Sequence, residues 1–292
     1  MRKRVYAGMT LAALFSGQAL ANEKLTLVLD WYINPDHAPI LVAEQIGAFK
    51  DAGLDVNIVP PSDPALPPRL VAARQADLAI TYQPQVHFFA DEGLPLVRVG
   101  TLINSPLNTV IALDKSIKSP ADLQGKKVGY SVSGIEQATL ATMAQHAKID
   151  PKSIKLINVN FQLTSALLAG QVDAVIGGYR NIEALELKLQ GKDPQVMNVE
   201  DYGVPAYDEL VIVANRDEVH AAKIRAFLKA LQKGVAYLRA HPQETWQAFA
   251  AAHPELNTEL NKPRYEAYEQ FLYNNKLVKK VTPLTNYAVE LH

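Results

Sequence analysis

The sequence predicts an α/β protein of two similar lobes, on three observations. Short apolar runs alternate with helical segments through most of the 292 residues. One pattern occurs twice: Ala73-Arg74-Gln75-Ala76-Asp77, an apolar run and Tyr82, then Ala169-Gly170-Gln171-Val172-Asp173, an apolar run and Tyr179. The first apolar run also ends in an aromatic-rich corner, and open α/β sheets hold ligands at the carboxyl ends of their strands.

The elements follow in order. Residues 24–29 read as a strand, and the corner Leu29-Asp30-Trp31-Tyr32-Ile33-Asn34-Pro35-Asp36-His37-Ala38-Pro39 leads into a helix over 40–49. Gly53 ends that helix before a strand over 54–59. A proline-stiffened loop precedes a short helix at 69–74, and the first copy of the repeat then gives a buried strand finishing in Tyr82. Strands at 97–102 and 109–113 flank Asn104-Ser105-Pro106-Leu107-Asn108. A strand ending at Tyr130, a helix over 135–146, a strand over 154–159 and a helix over 164–169 lead to the second repeat. A helix over 181–189, a strand at 210–214 and helices at 218–240, 243–252 and 262–275 complete the chain. This alternation predicts a largely parallel sheet, with an all-helical tail returning to the first lobe. Lobe one is expected to hold 22–105 plus 208–292, and lobe two 106–207, with the hinge near Ser105–Asn108 and Tyr207–Leu210.

Residues 1–21 read as a cleaved export signal: Arg2, Lys3 and Arg4 precede a short apolar core, and Ala19-Leu20-Ala21 offers small residues for cleavage. The core is too short to span a bilayer as a helix. Losing three positive charges takes the formal net charge from −1 to −4. The chain has no Cys, so neither disulfides nor a lipid-anchored cysteine enter the reading. No extended basic cluster points to nucleic acid. The expectation is a periplasmic monomer.

Trp31, Tyr82 and Tyr179 stand at strand ends of both lobes, where flat aromatic faces clamp a planar ligand. Each taken alone reads better as an ordinary core aromatic; it is all three falling at strand ends that favours a site. Glu183, four residues after Tyr179, is either an acceptor for a heterocycle's amino groups or a solvated first-turn Glu favoured by the helix dipole. Ser131-Val132-Ser133-Gly134 offers free N–H groups and hydroxyls, or else a simple N-cap in which Ser133 and Glu136 form a capping box. His37 and His87 invite acid/base or metal readings, but the seven His have no paired spacing, so no metal site is expected. His37 is read as a loop side chain bonding ligand or backbone. Neither a phosphate-binding glycine loop nor a Gly-x-Ser-x-Gly elbow is present, and binding is a simpler reading than catalysis.

These residues carry a resemblance. Leu29-Asp30-Trp31 through Asn34 and His37, Val42-Ala43, Gly53-Leu54-Asp55-Val56, Thr81-Tyr82-Gln83-Pro84 and Gly178-Tyr179 with Asn181 and Glu183 resemble the NMT1/THI5-like family. That family unites bacterial periplasmic binding proteins for formylaminopyrimidine with fungal pyrimidine synthases. The resemblance implies a type II periplasmic binding fold serving an ABC importer permease. It implies that Trp31 and Tyr179 sandwich a pyrimidine thiamine precursor, formylaminopyrimidine or hydroxymethylpyrimidine, and that Glu183 bonds its amino edge. Tyr32 departs from many relatives and is expected to face the ligand. No cofactor is implied, since the Cys-rich iron motif of the fungal enzymes is missing. Open alternatives are riboflavin or another ring or sulfonate in the same fold, and an exported enzyme using His37 or His87 as acid/base.

Overall fold

A computed structural model describes residues 22–252. The leader read over 1–21 and the helix expected over 262–275 lie outside the described residues. β1 (Glu23–Val28) runs into a 3-10 turn (Pro35–His37) and α1 (Ala38–Gln45), followed by α2 (Ala48–Asp51) and β2 (Leu54–Val59). Then come α3 (Pro67–Ala72), β3 (Leu78–Thr81), α4 (Gln83–Asp91) and β4 (Leu96–Ile103). The next stretch is β5 (Asn108–Ala112), β6 (Lys127–Tyr130), α5 (Ile135–His146), β7 (Lys155–Asn158), α6 (Leu163–Leu168), β8 (Ala174–Tyr179), α7 (Glu183–Leu189) and β9 (Gln195–Asn198). β10 (Leu210–Asn215), α8 (Ala222–Ala240) and α9 (Pro242–Ala252) return to the first sheet.

Two five-stranded sheets result, ordered β2-β1-β3-β10-β4 and β7-β6-β8-β5-β9. Together they make the two-lobed α/β architecture of a type II binding protein. The sheets are mixed rather than largely parallel. In each, three strands pair in parallel, while β10 in the first and β5 in the second run antiparallel to both neighbours. Those two strands enter their sheets directly from the chain segments between the lobes, with no crossover helix to reverse their direction.

The repeated pattern has one mechanical job in both lobes. Asp77 Oδ2 accepts the Thr26 N–H at 2.7 Å, and the Asp77 N–H donates to Thr26 O at 3.0 Å, so the residue before β3 clasps β1. Asp173 Oδ2 accepts the Lys127 N–H at 2.7 Å, and its own N–H reaches Lys127 O at 2.8 Å, so β8 is clasped to β6 in the same way. The preceding Gln closes the helix: Gln75 N donates to Leu70 O, and Gln171 N to Ala166 O. Between helix and clasp the chain passes through positive φ, at Arg74 (+59°) and Gly170 (+66°).

The single helix expected over 40–49 is two. Gly47 adopts φ +74°, which a right-handed helix does not tolerate, and the chain turns there. α8 covers the first sheet with a face of Ile224, Phe227, Leu231 and Leu238. Phe227 stacks on Phe49 at 5.0 Å between centroids. At Gly234 a β-carbon would sit 2.5 Å from the Pro39 carbonyl oxygen, so this glycine sets how closely α8 approaches the helix that follows the corner.

Two segments join the sheets, residues 104–107 and 199–209. Glu209 ties them together: its Oε2 accepts the N–H groups of Leu107 at 2.6 Å and Asn108 at 3.0 Å, and the Tyr207 hydroxyl at 3.1 Å.

Candidate functional site

A cleft opens between the two sheets where β1, β3, β8 and the connecting segments end. Asp30, Trp31, Asn34, Asp36 and Tyr82 line it from the first lobe. Ile135, Glu136, Gly177, Tyr179 and Glu183 line it from the second, and Asn108, Tyr207 and Glu209 form its floor at the connection. Its cavity volume is ≈ 30 Å³, against roughly 10–15 Å³ for a site that holds one water. The lobes therefore stand close together, with room between them for about two or three waters.

The corner is built by local bonds. Asn34 caps the 3-10 turn, its side-chain oxygen accepting the Asp36 N–H at 2.8 Å. His37 Nδ1 accepts the Asn34 N–H at 3.3 Å, which leaves Nε2 to donate to Asp30 Oδ1 at 2.9 Å. The Tyr82 hydroxyl donates to Asp30 Oδ2 at 3.2 Å. Asp30 is thus held from both sides, and the carboxylate fixes the tyrosine that ends β3. His37 is fully buried and does not line the cleft: it braces the corner from behind.

The second lobe reaches the cleft through an irregularity. β8 bulges against β5, where Thr109 pairs with Gly178 and Val110 with Ile176, leaving Gly177 as the extra residue at φ +96°. A β-carbon there would lie 2.2 Å from Glu136 Oε1, so the glycine makes the space that the Glu136 carboxylate occupies. Glu136 is not half of a capping box with Ser133. Its Oε2 turns back to accept the N–H groups of Ser131 at 2.6 Å and Val132 at 3.1 Å, while Gly134 is the N-cap of α5. Ser131 is buried with its hydroxyl on the Asn160 carbonyl, and Ser133 is exposed; neither lines the cleft.

Glu183, at the first turn of α7, is buried rather than solvated, and its Oε2 accepts the Tyr179 N–H at 2.7 Å. Asn181 Nδ2 donates across the cleft to Asp36 Oδ1 at 2.7 Å, a buried bond between the lobes. The aromatics are also exchanged. Trp31 packs against the apolar cluster of the second lobe and meets Phe161 edge-on at 4.7 Å, whereas Tyr179 packs against the core of the first. Tyr32 is 53% exposed and contacts Phe161 at 4.4 Å. It lines an outer groove of ≈ 350 Å³ that shares Trp31, Asn34 and Glu183 with the cleft.

Burial dominates the electrostatics. It raises the Glu136 carboxyl to about 8 against the pull of two backbone N–H donors, and Glu209 to about 7 against two backbone N–H donors and nearby tyrosine hydroxyls. Asp36 is raised well above the carboxylate range by burial, reinforced by the nearby charges of Asp30, Glu183 and Glu209. Tyr82, Tyr179 and Tyr207 are all raised, first by burial and then by neighbouring carboxylates.

Of the residues singled out in the sequence, Trp31, Asn34, Tyr82, Tyr179 and Glu183 converge on the cleft, and Tyr32 flanks it. Asp30, Asp36, Glu136 and Glu209 join them without having been singled out. The sequence signal for two of them was present: Asp30 and Asp36 bracket the corner. Glu136 looked like helix capping, and Glu209 carried no local pattern.

Comparison with known proteins decides the family. The NMT1/THI5-like family model matches residues 34–245. The chain belongs to the NMT1/THI5-like family. A Haemophilus influenzae member named for thiamine biosynthesis is 48% identical, over 98% of each chain. The formylaminopyrimidine-binding protein of Halalkalibacterium halodurans is 36% identical, over 85% of this chain and 79% of its own. More distant members, at 29% identity and below, are named 4-amino-5-hydroxymethyl-2-methylpyrimidine phosphate synthases. Among solved structures, the alkanesulfonate-binding protein of Xanthomonas axonopodis pv. citri superimposes with a TM-score of 0.66 at 15% identity, covering 94% of this chain and all of that one. That likeness establishes the periplasmic-binding-protein fold.

Proposed function

We propose that this protein is an exported substrate-binding protein that delivers a planar aminopyrimidine thiamine precursor to the permease of an ABC importer. The observation that carries the reading is the convergence of Trp31, Tyr82 and Tyr179 from opposite lobes on a narrow cleft rich in hydrogen-bond acceptors. Aromatic faces hold a flat ring, and carboxylates accept from its amino groups. The name of the 36% identical relative points to formylaminopyrimidine. The basic N-terminus with its short apolar core supports export. The ligand touches both lobes only when they are closed, so binding stabilises the closed form, and that form is the one presented to the permease.

Thermal unfolding with formylaminopyrimidine, hydroxymethylpyrimidine, thiamine, riboflavin and taurine tests the reading. Ligand at 100 times its Kd adds about 2.7 kcal/mol and raises the midpoint visibly. A shift with the pyrimidines and recovery of the ligand unchanged is expected. A shift with riboflavin or taurine alone, or conversion of the pyrimidine to a product, overturns it. Trp31→Ala is expected to weaken pyrimidine binding more than tenfold, measured by calorimetric titration, while the circular dichroism spectrum stays the same.

A further inference from the structure

Among the described residues the cleft is lined by carboxylates and by no cationic side chain. Asp30 and Asp36 face it from the first lobe, Glu136 and Glu183 from the second, and Glu209 from the connection. Tyr82, Tyr179 and Tyr207 are the other titratable groups that line it. His37, Arg180 and Arg98 stand outside its lining and are already engaged. His37 bonds Asp30 from behind the corner, Arg180 makes a two-pronged pair with Glu200, and Arg98 pairs with Asp208. Asp36 is 1% exposed, and its Oδ2 has no hydrogen-bond partner. The buried Tyr179 hydroxyl makes no well-formed hydrogen bond either.

Carboxylates crowded into a water-poor space cannot all ionise without a counter-charge, because burial and mutual repulsion both oppose it. They either keep protons or take up a cation. We propose that the cleft selects its heterocycle as a cation, either an aminopyrimidine protonated on a ring nitrogen or one carrying a side-chain ammonium, and rejects anionic forms such as phosphate esters. This deepens the pyrimidine-binding reading and rests on it. An aminopyrimidinium presents a ring N–H beside an exocyclic N–H, and this pair matches the two oxygens of one carboxylate as a guanidinium does. A neutral aminopyrimidine takes its proton from a buried carboxyl: an O–H bond breaks, a ring N–H bond forms, and no proton is exchanged with water. A ligand that arrives as an ammonium needs no such transfer, and the carboxyl proton it displaces leaves to solvent.

An isosteric series tests the proposal: 4-amino-2-methylpyrimidines bearing aminomethyl, hydroxymethyl or phosphooxymethyl at position 5, titrated calorimetrically into the purified protein from pH 6 to 9. The aminomethyl compound is expected to bind about tenfold or more tighter than the hydroxymethyl one at pH 7, releasing about one proton, as read from buffers of different ionisation enthalpy. The phosphate ester is expected not to bind measurably. If the hydroxymethyl compound matches the aminomethyl one but loses about tenfold in affinity per pH unit above pH 8, the charge comes from the ring and the proposal stands. Equal affinity for all three compounds, or affinity independent of pH, overturns the proposal and leaves the pyrimidine reading intact. If no pyrimidine binds, that reading fails; putrescine and choline then decide, since binding of either keeps the charge selection and binding of neither removes it. Glu136→Gln retains an oxygen for the Ser131 and Val132 N–H groups and is expected to cut the preference for the aminomethyl compound about tenfold. An unchanged preference in that variant and in Glu209→Gln would also count against the proposal.

Discussion

The two lobes share a frame and differ at the cleft. In both, an aspartate just ahead of a strand (β3 or β8) clasps its parallel neighbour (β1 or β6), and a tyrosine follows at the strand's end. In the first lobe β3 leads from Thr81 straight through Tyr82 into α4. In the second, β8 carries one extra residue in its bulge, and Arg180, Asn181 and Ile182 intervene before α7. The repeated part is what makes a strand pair with its neighbour; the unrepeated part admits a carboxylate. A lobe is thus copied as a scaffold, while the binding chemistry is set by a local departure from the copy.

Breaking that departure is expected to have the largest effect. Gly177→Ala forces a side chain into positive φ and against Glu136 Oε1, at a cost of roughly 3 kcal/mol. Urea denaturation measures the loss, and ligand affinity should fall with it. The clasps come next. Asp77→Ala leaves the Thr26 N–H unpaired and breaks the 2.6 Å pair with Lys223 Nζ, for about 2 kcal/mol. Asp173→Ala removes a more exposed bond to Lys127 alone, for about 1 kcal/mol or less. Equal losses would mean that the two clasps do not differ in burial as described.

A third difference is in titration. Glu136 and Glu209 ionise near 4.5 when unfolded and only at about 8 and about 7 when folded. The folded state therefore holds more protons than the unfolded one between these limits. Their contribution is fully present below about pH 4.5 and is lost as pH rises toward 7–8, at up to roughly 1.4 kcal/mol per pH unit and group. Denaturation midpoints measured from pH 5 to 8 should fall, and Glu136→Gln should flatten the decline. The smallest effect is expected from Asn181→Ala. It removes the 2.7 Å bond to Asp36 between the lobes and shifts closure by about 1 kcal/mol, a few-fold weakening of affinity on titration.

What the sequence revealed follows the range of the interactions. The Ala-x-Gln-x-Asp repeat was legible because helix end, clasp and strand lie within a few residues of each other. Strand 54–59 and helix 135–146 fall where periodicity and glycine placed them. The antiparallel insertion of β5 and β10 was not legible, since pairing direction depends on which lobe the chain has just left. Glu209 was invisible because its backbone partners, Leu107 and Asn108, stand about a hundred residues earlier. Glu136 was misread because its spacing from Ser133 fits a local cap equally well; the loop N–H groups of Ser131 and Val132 won instead. His37 was read as bonding ligand or backbone, and it does meet the backbone: the Asn34 N–H and the Asp30 carboxylate engage both its ring nitrogens.

The strand order has a consequence for how the chain is made. The second sheet draws all its strands from one continuous stretch, β5 to β9, and can be completed as soon as that stretch is available. The first sheet cannot: its fully buried β10 slots between β3 and β4, and arrives only after the whole second lobe has been synthesised. Until then β3 and β4 lack their shared neighbour, whereas every strand of the second sheet is already at hand. A chain stopped anywhere before Leu210 holds a first sheet still open between β3 and β4.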